Sequence, residues 1–485
     1  MAGEHVWVSR IIVLLGMLLC ARIVSLWFNS TELFFDEAQY WLWGKEPALG
    51  YFSKPPLLAW IVGFFTSICG DSEFCVRLAS PVLHSASAAM VFMSARLLFD
   101  AKTAFWAGFS YALLPAVTLS SSLISTDVPL LFMWSVALYA FLRFEQSDKL
   151  VWAVLLGLAI GLGIMAKYAM LYFLLCSVIY SLALSDRPNV FARTRFWLAP
   201  MVAFACVAPN LWWNWSNDFA TVSHTGENIG WARNFPNPGG LAEFVASQFA
   251  VMGPILFAIY IASVIRLPLQ KLSRAHAFLI AYSLPVLAMI ILQALLSKAY
   301  ANWAALTYVA GSILVADIMV NRIPSWWLRT STVLHLLVFA VLSVAVAFSR
   351  PGQLPLPDGI EPFGRMHGAV AMADATRARI AAGRFAAVLV DDRRTAALLH
   401  YYLRDQALPI LSWRSGETPR DHFELTRPYQ AVNIAPVLLV TRNINPAAIV
   451  SAFGDAELLG EFDPESKELG KIAFYALSKP LGASQ

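Results

Sequence analysis

The sequence predicts an α-helical polytopic membrane protein carrying a small α/β domain outside the membrane. Three observations lead there: an excess of apolar residues, a series of apolar runs near the length of a bilayer, and a proline-rich joint beyond which the composition becomes ordinary. Of 485 residues, 58% are hydrophobic and 14% charged, with a mean hydropathy of +0.61. A soluble domain carries about 25% charged residues.

Crossing a hydrocarbon core of about 30 Å takes roughly 17–25 apolar residues. Runs of that kind lie at Ser9–Phe28, Leu78–Leu98, Phe105–Leu119, Val128–Phe144, Leu150–Ala166, Tyr168–Leu184, Trp197–Trp213, Phe244–Ile265, Ala275–Leu296, Trp303–Val320 and Ser331–Phe348. The third is short and the fifth and sixth nearly fuse, so the expectation is about 11–13 transmembrane helices. No small-x-small cleavage site follows the first run before Asp36, so it is expected to stay as a span.

Orientation follows from the bias of Lys and Arg. With the N-terminus inside, the inner loops hold Arg10, Arg96, Lys102, Arg143, Lys149, Arg187, Arg193, Arg195, Arg266, Lys271, Arg274, Arg322 and Arg329, thirteen in all. The outer loops hold six: Lys45, Lys54, Arg77, Lys167, Arg233 and Lys298. That asymmetry is the positive-inside pattern. With an odd number of spans, the chain after residue 348 lies outside.

The joint Arg350-Pro-Gly-Gln-Leu-Pro-Leu-Pro357 divides a membrane body, 1–348, from a tail, 349–485, with fifteen basic and fifteen acidic residues. The tail reads as a helix over 369–382 and short strands over 385–390, 436–441 and 472–477. Asp391-Asp392 ends the first strand, as a solvated terminus or a metal ligand pair. There is no internal repeat, no nucleotide-binding glycine motif, no HExxH and no nucleic-acid footprint. Cys69 and Cys75, near the end of the first outer loop (29–77), either pair in an oxidising compartment or remain thiols.

Chemistry concentrates after the first span. Phe35-Asp36-Glu37-Ala38-Gln39-Tyr40-Trp41 sets two carboxylates in an aromatic patch, and Gly50-Tyr51-Phe52-Ser53-Lys54-Pro55-Pro56 holds a lysine against two prolines. Those prolines limit the freedom lost in fixing a charge. Lys54, Lys167 and Lys298 run against the charge bias, each near the outer end of a span, where a lysine needs water or an anion. For each taken alone the other reading is a lysine snorkelling to the headgroups; it weighs more for Lys167 and less for Lys54, whose backbone is fixed by the prolines, so that Lys54 reads first as an anion site. Asp127, before Val128-Pro129, is either the N-cap of the fourth span or a second site carboxylate.

In the loop 214–243, His224 is a polar loop residue or a ligand, and Arg233 is a further outer cation. Lys298, Tyr300 and Asn302 group between the ninth and tenth spans, where belt aromatics are expected in any case. Tyr40, Trp41, Trp43, Tyr51 and Phe52 suit a lipid-facing amphipathic segment in the interface plane, or a surface on which a sugar stacks.

The Asp36-Glu37 pair, Gly50-Tyr-Phe-x-x-Pro-Pro-Leu57 and Thr126-Asp-Val-Pro-Leu-Leu-Phe132 together resemble the bacterial members of the GT-C glycosyltransferases. This group includes protein O-mannosyltransferases and the aminoarabinose transferases that decorate lipid A, glycosyltransferase families 39 and 83. The resemblance covers the membrane body, is strongest from Phe34 to Phe132, and extends weakly to Ala301-Asn-Trp-Ala304. Ser53-Lys54-Pro55-Pro56 resembles the aminoarabinose branch, whose lysine meets the carrier phosphate. That branch usually has a glutamate before the lysine. Here the residue is Ser53, so a metal site built on that glutamate and a loop histidine does not carry over whole, and a divalent metal is left open.

The resemblance implies inverting transfer of a sugar from a polyprenyl phosphate to an envelope acceptor. The acceptor class is lipid A or the lipopolysaccharide core, and the setting is the periplasmic face of a bacterial inner membrane among its lipids. Lys54 is then the phosphate cation, with Lys298, Tyr300 and Arg233 as helpers. Asp36 is the first candidate base and Asp127 the second; Glu37 either holds the sugar or caps a helix. Tyr40, Tyr51, His224 and Asn302 are candidate substrate contacts. Protein O-glycosylation within the same superfamily, a flippase or transporter of lipid-linked sugars, and a non-catalytic scaffold are the other readings. The transporter would need charges near the middle of spans, and only Arg22 and Asp317 approach that.

Overall fold

The computed structural model describes residues 2–184, 189–229, 236–266, 272–350, 352–357, 360–430, 434–443, 445–466 and 468–481. The chain forms two compact units. One comprises 1–27, 54–58 and 77–344, the other 28–53, 59–76 and 345–485. Most of the first outer loop therefore groups with the tail.

The chain opens with helices α1 (Ala2–Trp27), α2 (Phe35–Lys45), α3 (Leu57–Cys69) and α4 (Glu73–Arg77), followed by α5 (Ala79–Leu98), α6 (Ala101–Ala112), α7 (Pro115–Ser120), α8 (Asp127–Ser147) and α9 (Leu150–Ala166). Next come α10 (Tyr172–Ile179), α11 (Leu198–Ser216), α12 (Ala220–Ile229), α13 (Pro238–Val251), α14 (Pro254–Arg266), α15 (Arg274–Ala281), α16 (Leu284–Leu296), α17 (Thr307–Asn321) and α18 (Ser325–Ala345).

Among the described residues, six helical stretches are long and apolar enough to cross a membrane: Glu4–Trp27, Glu73–Leu98, Asp127–Ser147, Thr194–Ser216, Arg274–Leu296 and Ser325–Phe348. Four shorter apolar helices are Leu57–Cys69, Leu150–Ala166, Tyr168–Leu182 and Thr307–Asn321. Leu57–Cys69 is absent from the spans read in the sequence. The run Phe244–Ile265 is not one straight span, because α13 and α14 bend by 117°. The corner is Gly253, at φ +91°, a left-handed conformation natural to glycine, followed by Pro254 at the head of α14. The run Phe105–Leu119 likewise breaks between α6 and α7, where Pro115 opens the second helix.

Three buried charges in the first unit have local partners. Arg22 donates to Ser85 Oγ at 3.2 Å and to the carbonyl of Ala112. Glu145 accepts from Arg274 at 2.5 Å and from the Tyr180 hydroxyl at 3.0 Å, and Asp317 pairs with His276 at 2.9 Å.

The tail adds α19 (Ala369–Ala382), β1 (Ala387–Val390), α20 (Arg393–Tyr402), β2 (Ile410–Ser412), α21 (His422–Thr426), β3 (Val437–Thr441), α22 (Ala447–Val450), β4 (Phe453–Phe462) and β5 (Ile472–Pro480). The sheet runs β2-β1-β3-β5-β4, with β1, β2 and β3 parallel and β5 antiparallel to β3 and β4. Strands β1 and β3 are buried throughout, as parallel strands covered on both faces must be. Asp391 and Asp392 are not a solvated terminus. Asp391 accepts from Thr441 Oγ1 at 2.7 Å, and Asp392 caps α20 by accepting from the amides of Arg394 and Thr395.

Residues 28–53 and 59–76 pack into this domain. The Trp41 ring meets Tyr401 edge-on at 5.0 Å and Trp43 meets His422 at 5.2 Å. The Tyr402 hydroxyl accepts from the Leu33 amide at 2.8 Å and donates to Glu73 at 2.5 Å. Cys69 and Cys75 form a disulfide.

Candidate active site

Some of the expected site residues gather in two clusters, one within each unit. In the tail-containing unit, α2 starts where a capping box forms, Glu37 Oε2 accepting from the Phe34 amide at 2.9 Å. Glu37 is buried and serves the helix end. Asp36, one turn position earlier and 32% exposed, pairs with Arg393 Nη2. The same guanidinium donates through Nε to Gln39 Oε1 at 2.6 Å and lies 5.1 Å over the Phe35 ring. Burial pushes Arg393 down to about 10, which leaves it cationic at neutral pH.

Tyr40, Trp41, Trp43 and Tyr51 are not lipid-facing. They are 4%, 5%, 1% and 1% exposed, because the aromatic face of α2 packs inside its own unit. Tyr51 stacks on Trp43 at 4.4 Å and donates its hydroxyl to the Trp43 carbonyl at 2.8 Å, while accepting from the Ala48 amide at 3.1 Å. Burial pushes that phenol up to about 12.

In the helical unit, Asp127 is the first residue of α8 and Thr126 its N-cap, so the carboxylate does not cap the helix. Its Oδ1 takes Lys167 Nζ at 2.7 Å and its Oδ2 takes Asn302 Nδ2 at 2.6 Å. Lys167 is thus an ion-pair partner rather than a snorkelling side chain. Lys54 feels this pair. Burial pushes its ammonium below the ordinary lysine range, Lys167 adds to the effect, and Asp127 opposes it. No carboxylate of the described residues comes within 4 Å of Lys54.

Asp127 and Asn302 help to line a cavity of about 750 Å³, whose walls also include Leu114, Val117, Leu131, Val338 and Leu342. Lys298 sits 4.9 Å over the Tyr300 ring, apart from the Asp127 contacts. His224 is half-buried on α12, and Arg233 lies outside the described residues. Ser53 is buried, and its Oγ has no partner among the described residues. Among the described residues no three His, Cys, Asp or Glu side chains converge as a metal-ligand set.

Residues 53–213 match the family described as dolichyl-phosphate-mannose-protein mannosyltransferase. Over 473 residues the chain is 33% identical to the lipid A galacturonosyltransferase RgtD of Rhizobium johnstonii, covering 97% of this chain and 98% of that one. The chain belongs to the GT-C glycosyltransferases. This transferase is also 28% identical over 201 residues to the lipopolysaccharide core galacturonosyltransferase RgtB of the same organism, 40% of either chain. Its fold is that of ArnT from Cupriavidus metallidurans. The apo structure superposes with a TM-score of 0.66 at 15% identity over 100% of both chains, and the form bound to undecaprenyl phosphate with 0.65 over 99% of both.

Proposed function

We propose that this transferase moves a galacturonosyl residue from a polyprenyl-phosphate carrier to lipid A, with inversion at the anomeric carbon. The observation that carries the reading is the full-length similarity to a lipid A galacturonosyltransferase. The chemistry of Lys54 supports it, since a half-buried cation with no carboxylate of the described residues at ion-pair distance suits a phosphate. The Lys and Arg bias supports an N-terminus in the cytoplasm, with the site and the tail domain on the periplasmic face of the inner membrane.

In the reaction, an acceptor hydroxyl oxygen bonds to C1 of the sugar as the bond from C1 to the carrier-phosphate oxygen breaks. The electron pair leaves on the phosphate, and the hydroxyl proton passes to a carboxylate. Lys54 stabilises the charge on the leaving phosphate, the kind of preorganised contact whose removal costs about 10²–10³-fold. Lys298, Tyr300 and Arg233 are secondary candidates for the same phosphate. Asp36 is the proposed base, a role worth about 10²–10⁴-fold. Asp127 is the second carboxylate, oriented by Lys167 and Asn302. Tyr40 and Tyr51 back α2 from within its unit. The mostly apolar cavity lined in part by Asp127 and Asn302 suits the polyprenyl chain.

A second acceptor, the lipopolysaccharide core, is favoured by the partial match to the core transferase. If the accepting group were a phosphate, no base would be needed and Asp36 would orient the acceptor.

Membranes containing this protein, given labelled polyprenyl-phosphate galacturonate with lipid A or with core oligosaccharide, separate the two acceptors by which product gains a uronic acid in mass spectrometry. Full transfer by both Lys54→Ala and Asp36→Asn would show that the site is assigned wrongly.

A further inference from the structure

We propose that Arg393 of the α/β domain is a positioning residue for Asp36. The inference rests on the reading of Asp36 as the acceptor-facing base.

The geometry is that of a fork. The Nη2 of Arg393 meets Asp36 Oδ1 and its Nε meets Gln39 Oε1 at 2.6 Å. Asp36 and Gln39 are three positions apart and share one face of α2, so one planar guanidinium fixes both. Arg393 is itself held firmly. It is the first residue of α20, whose amides Arg394 and Thr395 are tied to Asp392, and its guanidinium covers the Phe35 ring with Arg394 beside it, at 5.1 and 5.3 Å. A carboxylate one-third exposed has many rotamers in water. Held by one arm of a guanidinium whose other arm is fixed on Gln39, it keeps one.

The charges around this pair are few. Glu37 of α2 is turned to the Phe34 amide, Arg394 pairs with Glu468 at 2.9 Å, and Asp392 faces Arg442 at 3.7 Å. Asp421, at the head of α21, adds a stabilising charge for Arg393. Arg393 is therefore the cation in direct contact with Asp36. A guanidinium in contact with an aspartate favours its charged form, so removal of the Arg393 charge is expected to raise the pH below which a base at Asp36 is lost.

The experiment is the pH profile of kcat/KM for the full-length protein in membranes. Arg393→Gln keeps a hydrogen-bonding side chain without the charge, and its acid limb is expected to move up by about one to three pH units, with activity partly recovered at higher pH. Arg393→Lys restores the charge without the fork, so its limb stays near the wild-type position while kcat remains low. A loss in Arg393→Gln that is the same at every pH overturns the proposal. Should Arg393→Gln fail to fold, Gln39→Ala frees one arm of the fork, and a folded Gln39→Ala with wild-type rate and limb overturns it equally. These outcomes are distinct from failure of the functional reading, which would appear as no transfer by the wild type or full transfer by Asp36→Asn.

Discussion

Lys167 Nζ stands 2.7 Å from Asp127 Oδ1, and the carboxylate's other oxygen is held by Asn302 at 2.6 Å. Lys167 and Asp127 are 24% and 13% exposed, so this is not the surface pair that contributes about 0–1 kcal/mol. A hydrogen bond to a charged group is worth about 1.5–3 kcal/mol, which corresponds to roughly ten- to a hundredfold in rate if the pair shapes the transition state. Asp127→Asn leaves Lys167 without its counter-charge and removes a charge that favours the Lys54 ammonium from a distance, and Lys167→Met leaves Asp127 half-satisfied. Each is expected to lower kcat/KM by that order. The double variant is expected to lose less than the two losses combined, because the residues act as a unit. Simple additivity in the measured cycle would count against a functional pair.

Lys54 gives a prediction with a definite sign. Burial and Lys167 both disfavour its charged form, so the ammonium is lost at a lower pH than for an ordinary lysine. If the ammonium holds the carrier phosphate, kcat/KM falls on the alkaline side as pH rises through that lowered value. Lys54→Arg, whose guanidinium stays protonated, is expected to move that limb up beyond the measurable range. Lys54→Ala is expected to lose about 10²–10³-fold at every pH. An alkaline limb unchanged in Lys54→Arg would assign the limb to another group.

The sequence shows most where local chemistry decides structure. The tail helix read over 369–382 appears as Ala369–Ala382, and the span read as Leu150–Ala166 appears with the same ends. Hydropathy does not register a backbone turn, so the corner at Gly253 passes for the middle of one span. Strand β4 carries mostly exposed residues, and without an apolar run nothing in its sequence marks it as a strand. At 13 residues, α3 is shorter than the roughly 17–25 apolar residues that a full span takes. The acids and lysines of the proposed site stand out because they are charges in an apolar chain. Arg393 does not: it is one of fifteen basic residues in a balanced tail, 357 positions from Asp36, and no local pattern joins the two.

Helices α2 and α3 approach through glycine. A Cβ on Gly44 would lie 2.7 Å from the Gly63 amide nitrogen, and one on Gly63 would lie 2.6 Å from the Gly44 carbonyl oxygen. Backbone stands on both sides, so no side chain can rotate away. Gly44→Ala and Gly63→Ala are each expected to destabilise by about 1–3 kcal/mol, the cost of overpacking. Because α2 carries Asp36, transfer is expected to fall with the thermal midpoint. A normal midpoint in both variants would mean that the helices separate freely.

The Cys69–Cys75 disulfide ties the end of α3 to α4, and it tests the orientation drawn from the Lys and Arg bias. Disulfides persist in an oxidising compartment such as the periplasm and are rare in the cytosol. The free cysteines are Cys20, Cys176 and Cys206, all within helices read as spans, so a charged, membrane-impermeant maleimide has little else to reach. In intact cells whose outer membrane has been made permeable, little labelling is expected before reduction. After treatment with a reductant that does not enter the cytoplasm, labelling should appear at Cys69 and Cys75, identified by peptide mass. The pair Cys69→Ser with Cys75→Ser should abolish that signal. Labelling that needs the inner membrane to be opened would place this loop in the cytoplasm, and with it Asp36 and Lys54 on the face opposite to the one proposed.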